Sequence, residues 1–96
     1  MLFVILGRDG PRGRELRPQL RPAHLEHVRR RGGDRVRLAG PLTDGAGSLI
    51  VVDFDTIEDA RAMADADPYR TGGVFESVEV HPFVAVFPER GDRDAS

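Results

Sequence analysis

The sequence predicts an α+β domain of ferredoxin-like topology, β-α-β-β-α-β, built on an antiparallel sheet. Three observations predict it. Two stretches, residues 2–6 and 48–54, are nearly continuous apolar runs and read as strands buried on both faces. Two others, residues 35–40 and 77–81, alternate polar with apolar and read as strands with one wet face. Helical segments fall between the first and second strands and between the third and fourth. In this topology the first and third strands are central, and those are the two apolar ones.

Taken in order, Leu2-Phe3-Val4-Ile5-Leu6 forms the first strand and Gly7 ends it. Residues 7–21 are polar and rich in Gly, Pro and Arg. Leu16 and Leu20 can anchor a short turn there, while Pro18 and Pro22 preclude one long helix. A clearer helix starts at Pro22, a favourable first position, and runs to about residue 31 before Gly32-Gly33. Residues 35–40 form the second strand, and Asp44-Gly45 turns the loop of residues 41–47. After the third strand, Thr56 is an N-cap with Asp59 three positions on. The helix it opens ends before Pro68. Gly72-Gly73 turns the chain into residues 77–81, which Pro82 confines to an edge or a strand end. Residues 84–87 form a last short apolar run.

Ninety-six residues make one domain, placed at 1–87, with a charged tail at 88–96 that frays. A chain this small buries only about two-thirds of its unfolded surface, so a partner subunit would add stability. There is no cysteine, which excludes disulfide and thiol chemistry. The longest apolar run is too short to span a membrane and lacks the form of a signal peptide, so the chain reads as cytoplasmic. Its 14 basic residues are all arginine, yet acids are interleaved and the net charge is -2. With 6% aromatic residues and no basic face, nucleic acid is not an expected partner. No phosphate loop or dinucleotide fingerprint is present, and no cofactor is expected.

The most informative stretch is Ala64-Asp65-Ala66-Asp67-Pro68-Tyr69. Ile57, Ala60, Met63 and Ala64 form an apolar helical stripe, and residue 67 is its next member. An aspartate there is costly unless something pairs with it. It also lies at the negative end of that helix. Alternatively, Asp67 caps a final turn with Pro68 at N1. A carboxylate has two oxygens, so cap and ion-pair partner are compatible roles.

His24 is the matching candidate. With Leu25 and Val28 marking the core direction, His24 lies on the flank of the stripe and His27 points largely away. A half-buried histidine can act as a general base, or can simply pack and bond a carbonyl. Ser48 opens the third strand and can offer a hydroxyl to a pocket, or be an ordinary strand-end residue. Tyr69 lines the same pocket or packs. Arg21 is suited to an anionic group. His24 and His27 stand three residues apart, but their different directions and the missing cysteines argue against a metal site. His81 falls on an edge strand in solvent.

These pieces resemble the YciI-like, or YCII-related, domain family. The resemblance rests on Leu2-Phe3-Val4-Ile5, Arg21-Pro22-Ala23-His24-Leu25 and Ala39-Gly40-Pro41-Leu42. Gly47-Ser48, residues 64–69 and Val78-Glu79-Val80-His81-Pro82-Phe83 follow in order. The resemblance implies a homodimer joined through the sheet, of dimeric α/β-barrel type. It also implies a pocket centred on His24 and Asp67, with Ser48 beside them. One branch of the family resembles an elimination enzyme acting on a chlorinated, hydroxylated ring.

The expectation is a homodimeric small-molecule enzyme with a His24–Asp67 dyad, working by proton transfer in an elimination or isomerisation. Ser48, Arg21 and Tyr69 would bind the substrate. Two rivals remain: a non-catalytic module holding a small ligand, in which Arg21 matters more than His24, and a structural dimer whose dyad merely holds a helix end.

Overall fold

The computed structural model describes residues 1–88. The elements are β1 (Leu2–Asp9), α1 (Gly13–His27), β2 (Val36–Pro41), β3 (Gly47–Asp53), α2 (Ile57–Asp65), α3 (Pro68–Thr71) and β4 (Phe75–Phe83). The four strands form one antiparallel sheet in the order β2-β3-β1-β4, the ferredoxin-like arrangement. The first and third strands are central, as their apolar content requires. The charged tail lies, from residue 89 on, outside the described residues.

The helices cover one face of the sheet. Phe3 and Ile5 of β1, with Ile50 and Val52 of β3, point into that face and meet Ala60, Met63 and Ala64 of α2. Each large side chain buried here is worth about 1.5–3 kcal/mol of transfer free energy. A second cluster, Tyr69, Val74 and Phe75, packs against Leu16 and Leu20 of α1. The opposite face holds Leu2, Val4, Leu6, Leu49 and Val51, all half-buried. The two central strands are therefore not buried on both faces, as the apolar runs suggested. Their burial alternates, because all three helices lie on one side.

Three boundaries also differ from the sequence-based expectation. The first concerns α1, which runs unbroken from Gly13 through Pro18 and Pro22 to His27. Each interior proline removes one hydrogen bond and strains the preceding turn. Tertiary contacts on one stripe override that cost. Gly13, Leu16, Arg17, Leu20, His24 and Val28 recur at three- and four-residue steps facing the sheet, while both prolines face solvent. The helix then widens into a π turn, Val28–Gly32, and a short 3-10 turn, Gly33–Arg35.

The second is β4, which extends from Phe75 to Phe83 with Pro82 inside it. Pro82 is tolerated because β4 is an edge strand. The third is β1, which continues past Gly7 to Asp9. Pro68 opens a separate short helix, α3, after α2 stops at Asp65, in keeping with the capping role open to Asp67 in the sequence. Thr56 caps α2 as expected, its hydroxyl accepting from the Asp59 N–H at 3.2 Å. The turn at Asp44-Gly45 also forms, with the Asp44 carboxylate accepting from the Ala46 N–H at 2.9 Å.

Candidate active site

Asp67 sits between α2 and α3, and its side chain caps α3 by accepting from the Tyr69 N–H at 2.9 Å. The carboxylate therefore faces the positive end of α3, not the negative end of one continuous helix, because the chain breaks before Pro68. It is 4% exposed. Burial at this depth demands a partner, and His24 supplies it. The His24 Nδ1 lies 2.8 Å from Asp67 Oδ1 and 2.9 Å from Oδ2.

This contact sets the ring's protonation. An ionised carboxylate only accepts, so Nδ1 carries the hydrogen and donates it. The neutral ring then has its lone pair on Nε2, which makes no hydrogen bond among the described residues. His24 is buried, with only 9% exposure, rather than half-buried at a rim. The continuous helix accounts for the difference. It turns His24 into line with Leu16, Arg17 and Leu20, and leaves Leu25 on the flank.

Tyr69 fixes the ring plane. Its ring stacks on His24 with centroids 3.9 Å apart and planes 4° from parallel. Phe75 in turn meets Tyr69 edge-on at 5.6 Å. Burial pushes the Tyr69 phenol above its ordinary range, while the positive charges of Arg17 and Arg21 pull the other way. Arg21 itself is exposed on α1.

Ser48 is buried at the start of β3, opposite Gly7 of β1. Its hydroxyl accepts from Arg17 Nη2 at 2.9 Å. Arg17 also forms a two-pronged pair with Asp9, Nε to Oδ2 at 2.8 Å and Nη2 to Oδ1 at 2.9 Å. Its guanidinium lies 5.0 Å from the Tyr69 ring centroid, in cation–π range. Pairing with Asp9 raises the Arg17 pKa further, so this charge is permanent.

Asp9 and Arg17 escaped sequence reasoning. A helix assumed to start at Pro22 left Arg17 in a loop, and a first strand ended at Gly7 did the same to Asp9. The signal was present in the spacing of residues 13, 16, 17, 20, 24 and 28. His27 was also misplaced. It does not point away, since its Nε2 donates to the Met63 carbonyl at 2.7 Å. His24 and His27 thus serve different partners. His81 lies on the exposed side of β4, 3.0 Å from Glu79.

Two hollows adjoin these groups. A void of about 10 Å³, the size of one water, is lined by Gly7, Ser48, Ile50, Ala64, Asp67 and Phe75 among others. A wider, polar cleft of about 580 Å³ opens beside Asp9, Arg14, Arg17 and the loop from Pro41 to Gly47. That is the volume of an ordinary small-ligand site.

A small ferredoxin-like sheet with a buried histidine–carboxylate pair beneath its helices defines the class. The YCII-related domain matches residues 1–84, and the chain belongs to that family. It is 40% identical to the protein YciI of Escherichia coli O6:H1, across 91% of this chain and 100% of that one. It is 32% identical, with the same coverage, to an uncharacterized protein of Haemophilus influenzae. Among solved structures it resembles a 5-chloro-2-hydroxyhydroquinone dehydrochlorinase from Burkholderia phenoliruptrix AC1100, in complex with 2,5-dihydroxybenzoquinone. That match has a TM-score of 0.77 and 22% identity, covering 86% of this chain and 93% of that one. A NIPSNAP domain protein from Burkholderia xenovorans matches at a TM-score of 0.51 and 17% identity, over 91% of this chain and 97% of that one. At these identities the two structures speak to the fold alone.

Proposed function

We propose that this protein is a small-molecule enzyme in which His24 transfers a proton and Asp67 orients it. The reaction is an elimination or an isomerisation. One observation carries the reading: Nδ1 of a buried histidine faces both oxygens of a buried carboxylate while Nε2 has no protein partner. That arrangement leaves a base whose Nε2 lone pair is free to take a substrate proton. Asp67 stabilises the imidazolium formed when His24 takes a proton, as the carboxylate does in a catalytic triad. A positioned base of this kind contributes about 10²- to 10⁴-fold in rate.

The fold neighbour that removes chloride from a hydroxylated ring supports a substrate of comparable size. Ser48 and Tyr69 stand beside the dyad and Arg21 at its margin, and all three are proposed to contact the substrate. The substrate is proposed to be a cytoplasmic metabolite. We further propose that two copies associate through the uncovered sheet face.

The test is proton exchange. A panel of hydroxylated aromatics and carbonyl compounds, 5-chloro-2-hydroxyhydroquinone included, is incubated with the protein in deuterated water. Deuterium incorporation and chloride release are followed by NMR and ion chromatography. Turnover of a panel member by the native protein, lost in His24→Ala, is the expected result. Binding of panel members with no turnover difference between native protein and His24→Ala would return the protein to a ligand-holding role.

A further inference from the structure

We infer that Arg17 is a positioning residue that locks the Ser48 hydroxyl as a hydrogen-bond donor, making this a site for substrates whose oxygen becomes anionic as a proton leaves. The substrate class is then an enolisable carbonyl compound or a phenol. The inference rests on the dyad reading for the base, and on a separate set of contacts for the oxygen.

Arginine has only donors and does not lose its proton in a protein. The 2.9 Å contact between Arg17 Nη2 and Ser48 Oγ therefore makes Ser48 the acceptor. The hydroxyl's own hydrogen has no protein partner among the described residues. Ser48 is buried, and it lines the same water-sized void as Asp67. A hydroxyl polarised by a permanent cation thus offers its hydrogen in a space that Asp67 also lines.

Asp9 is what prevents Arg17 from swinging away, because two parallel hydrogen bonds hold its fork. The guanidinium also borders the 580 Å³ cleft. Arg14 lines the same cleft and has no ion pair among the described residues.

In the proposed step, the His24 Nε2 lone pair forms an N–H bond as a substrate C–H or O–H bond breaks. The released electron pair moves onto the substrate oxygen, where the Ser48 hydroxyl donates to it. No other reactant is needed, and the proton returns from Nε2 to complete an isomerisation. Donors placed where charge develops are among the largest contributions to catalysis.

The probe is 4-nitrophenol, whose phenolate is coloured, with 2,5-dihydroxybenzoquinone as a second ligand. The bound phenol's ionisation is followed by absorbance across a pH series. Native protein is expected to hold it as phenolate, with a bound pKa about one unit or more below that of the free compound. Ser48→Ala and Arg17→Gln should each abolish most of that shift. Ser48→Ala leaves the Asp9–Arg17 pair intact, so it decides the matter if Arg17→Gln does not fold. An unshifted phenol in native protein, an unchanged shift in Ser48→Ala, or failure of both ligands to bind at millimolar concentration would overturn the inference. None of these readouts requires turnover, so a failed dyad and a failed oxygen site are told apart.

Discussion

Asp67 holds two elements at once. It caps α3 through the Tyr69 N–H and anchors α1 through His24. Asn in its place keeps an oxygen for the cap but gains hydrogens that face Nδ1. The imidazole is then driven to the opposite tautomer, with Nε2 protonated. Turnover in Asp67→Asn should fall by about 10⁴-fold, the loss seen when a triad carboxylate is so replaced. Thermal melts of the same variant should show a folded protein. That aspartate was legible in sequence as an acid on an apolar stripe. Its capping role was legible too, because Pro68 ends one helix and opens the next. Arg17 was illegible, because a proline rule hid the helix that carries it.

Pro18 and Pro22 lie within α1 with their rings in solvent, so neither contributes packing. Pro18→Ala restores a helical N–H and relieves the preceding turn. It should stabilise the protein, by roughly 1–2 kcal/mol after allowing for the greater freedom of the unfolded chain. Urea denaturation checks this, and a destabilised variant would show that the bend is required. At the site edge, β3 begins at Gly47, where an added Cβ would collide with the Gly7 carbonyl oxygen. Gly47→Ala should cost at least roughly 2 kcal/mol and displace Ser48.

The edge strand β4 is tied to β1 by Arg8, 2.9 Å from Glu79. The Glu79 carboxyl lies below its ordinary range, first through its hydrogen bond with His81 and then through Arg8. A carboxylate depressed in the folded state adds stability above its unfolded pKa and loses it as pH falls through the folded value. Glu79→Gln should therefore lower the melting temperature slightly at neutral pH. The gap from native protein should close below about pH 4. Melts at neutral and acid pH provide the check, and a pH-independent gap would contradict it.

Over the whole molecule, topology was the most legible property. Strand order follows from which runs are apolar and which alternate, since only the two central strands have neighbours on both sides. The apolar runs overstated burial because one of their faces meets no helix. Leu2, Val4, Leu6, Leu49 and Val51 form that face, with Leu38 66% exposed at one edge and Phe83 43% at the other. A stable interface of standard size buries about 800 Å² per partner, and this face is where a second copy would supply it. Native protein should sediment as a dimer, and Leu6→Arg, which sets a charge mid-face, as a monomer. A native monomer at micromolar concentration would contradict the proposed assembly.

The central claim is that Asp67 holds His24 with Nδ1 protonated and Nε2 bare. Nitrogen-15 NMR of the imidazole reads this directly, because protonated and bare ring nitrogens resonate far apart. At a pH where the ring is neutral, native protein should show the Nδ1–H tautomer and Asp67→Asn the Nε2–H tautomer. An Nε2–H tautomer in native protein, or one unaltered by the substitution, would contradict the account.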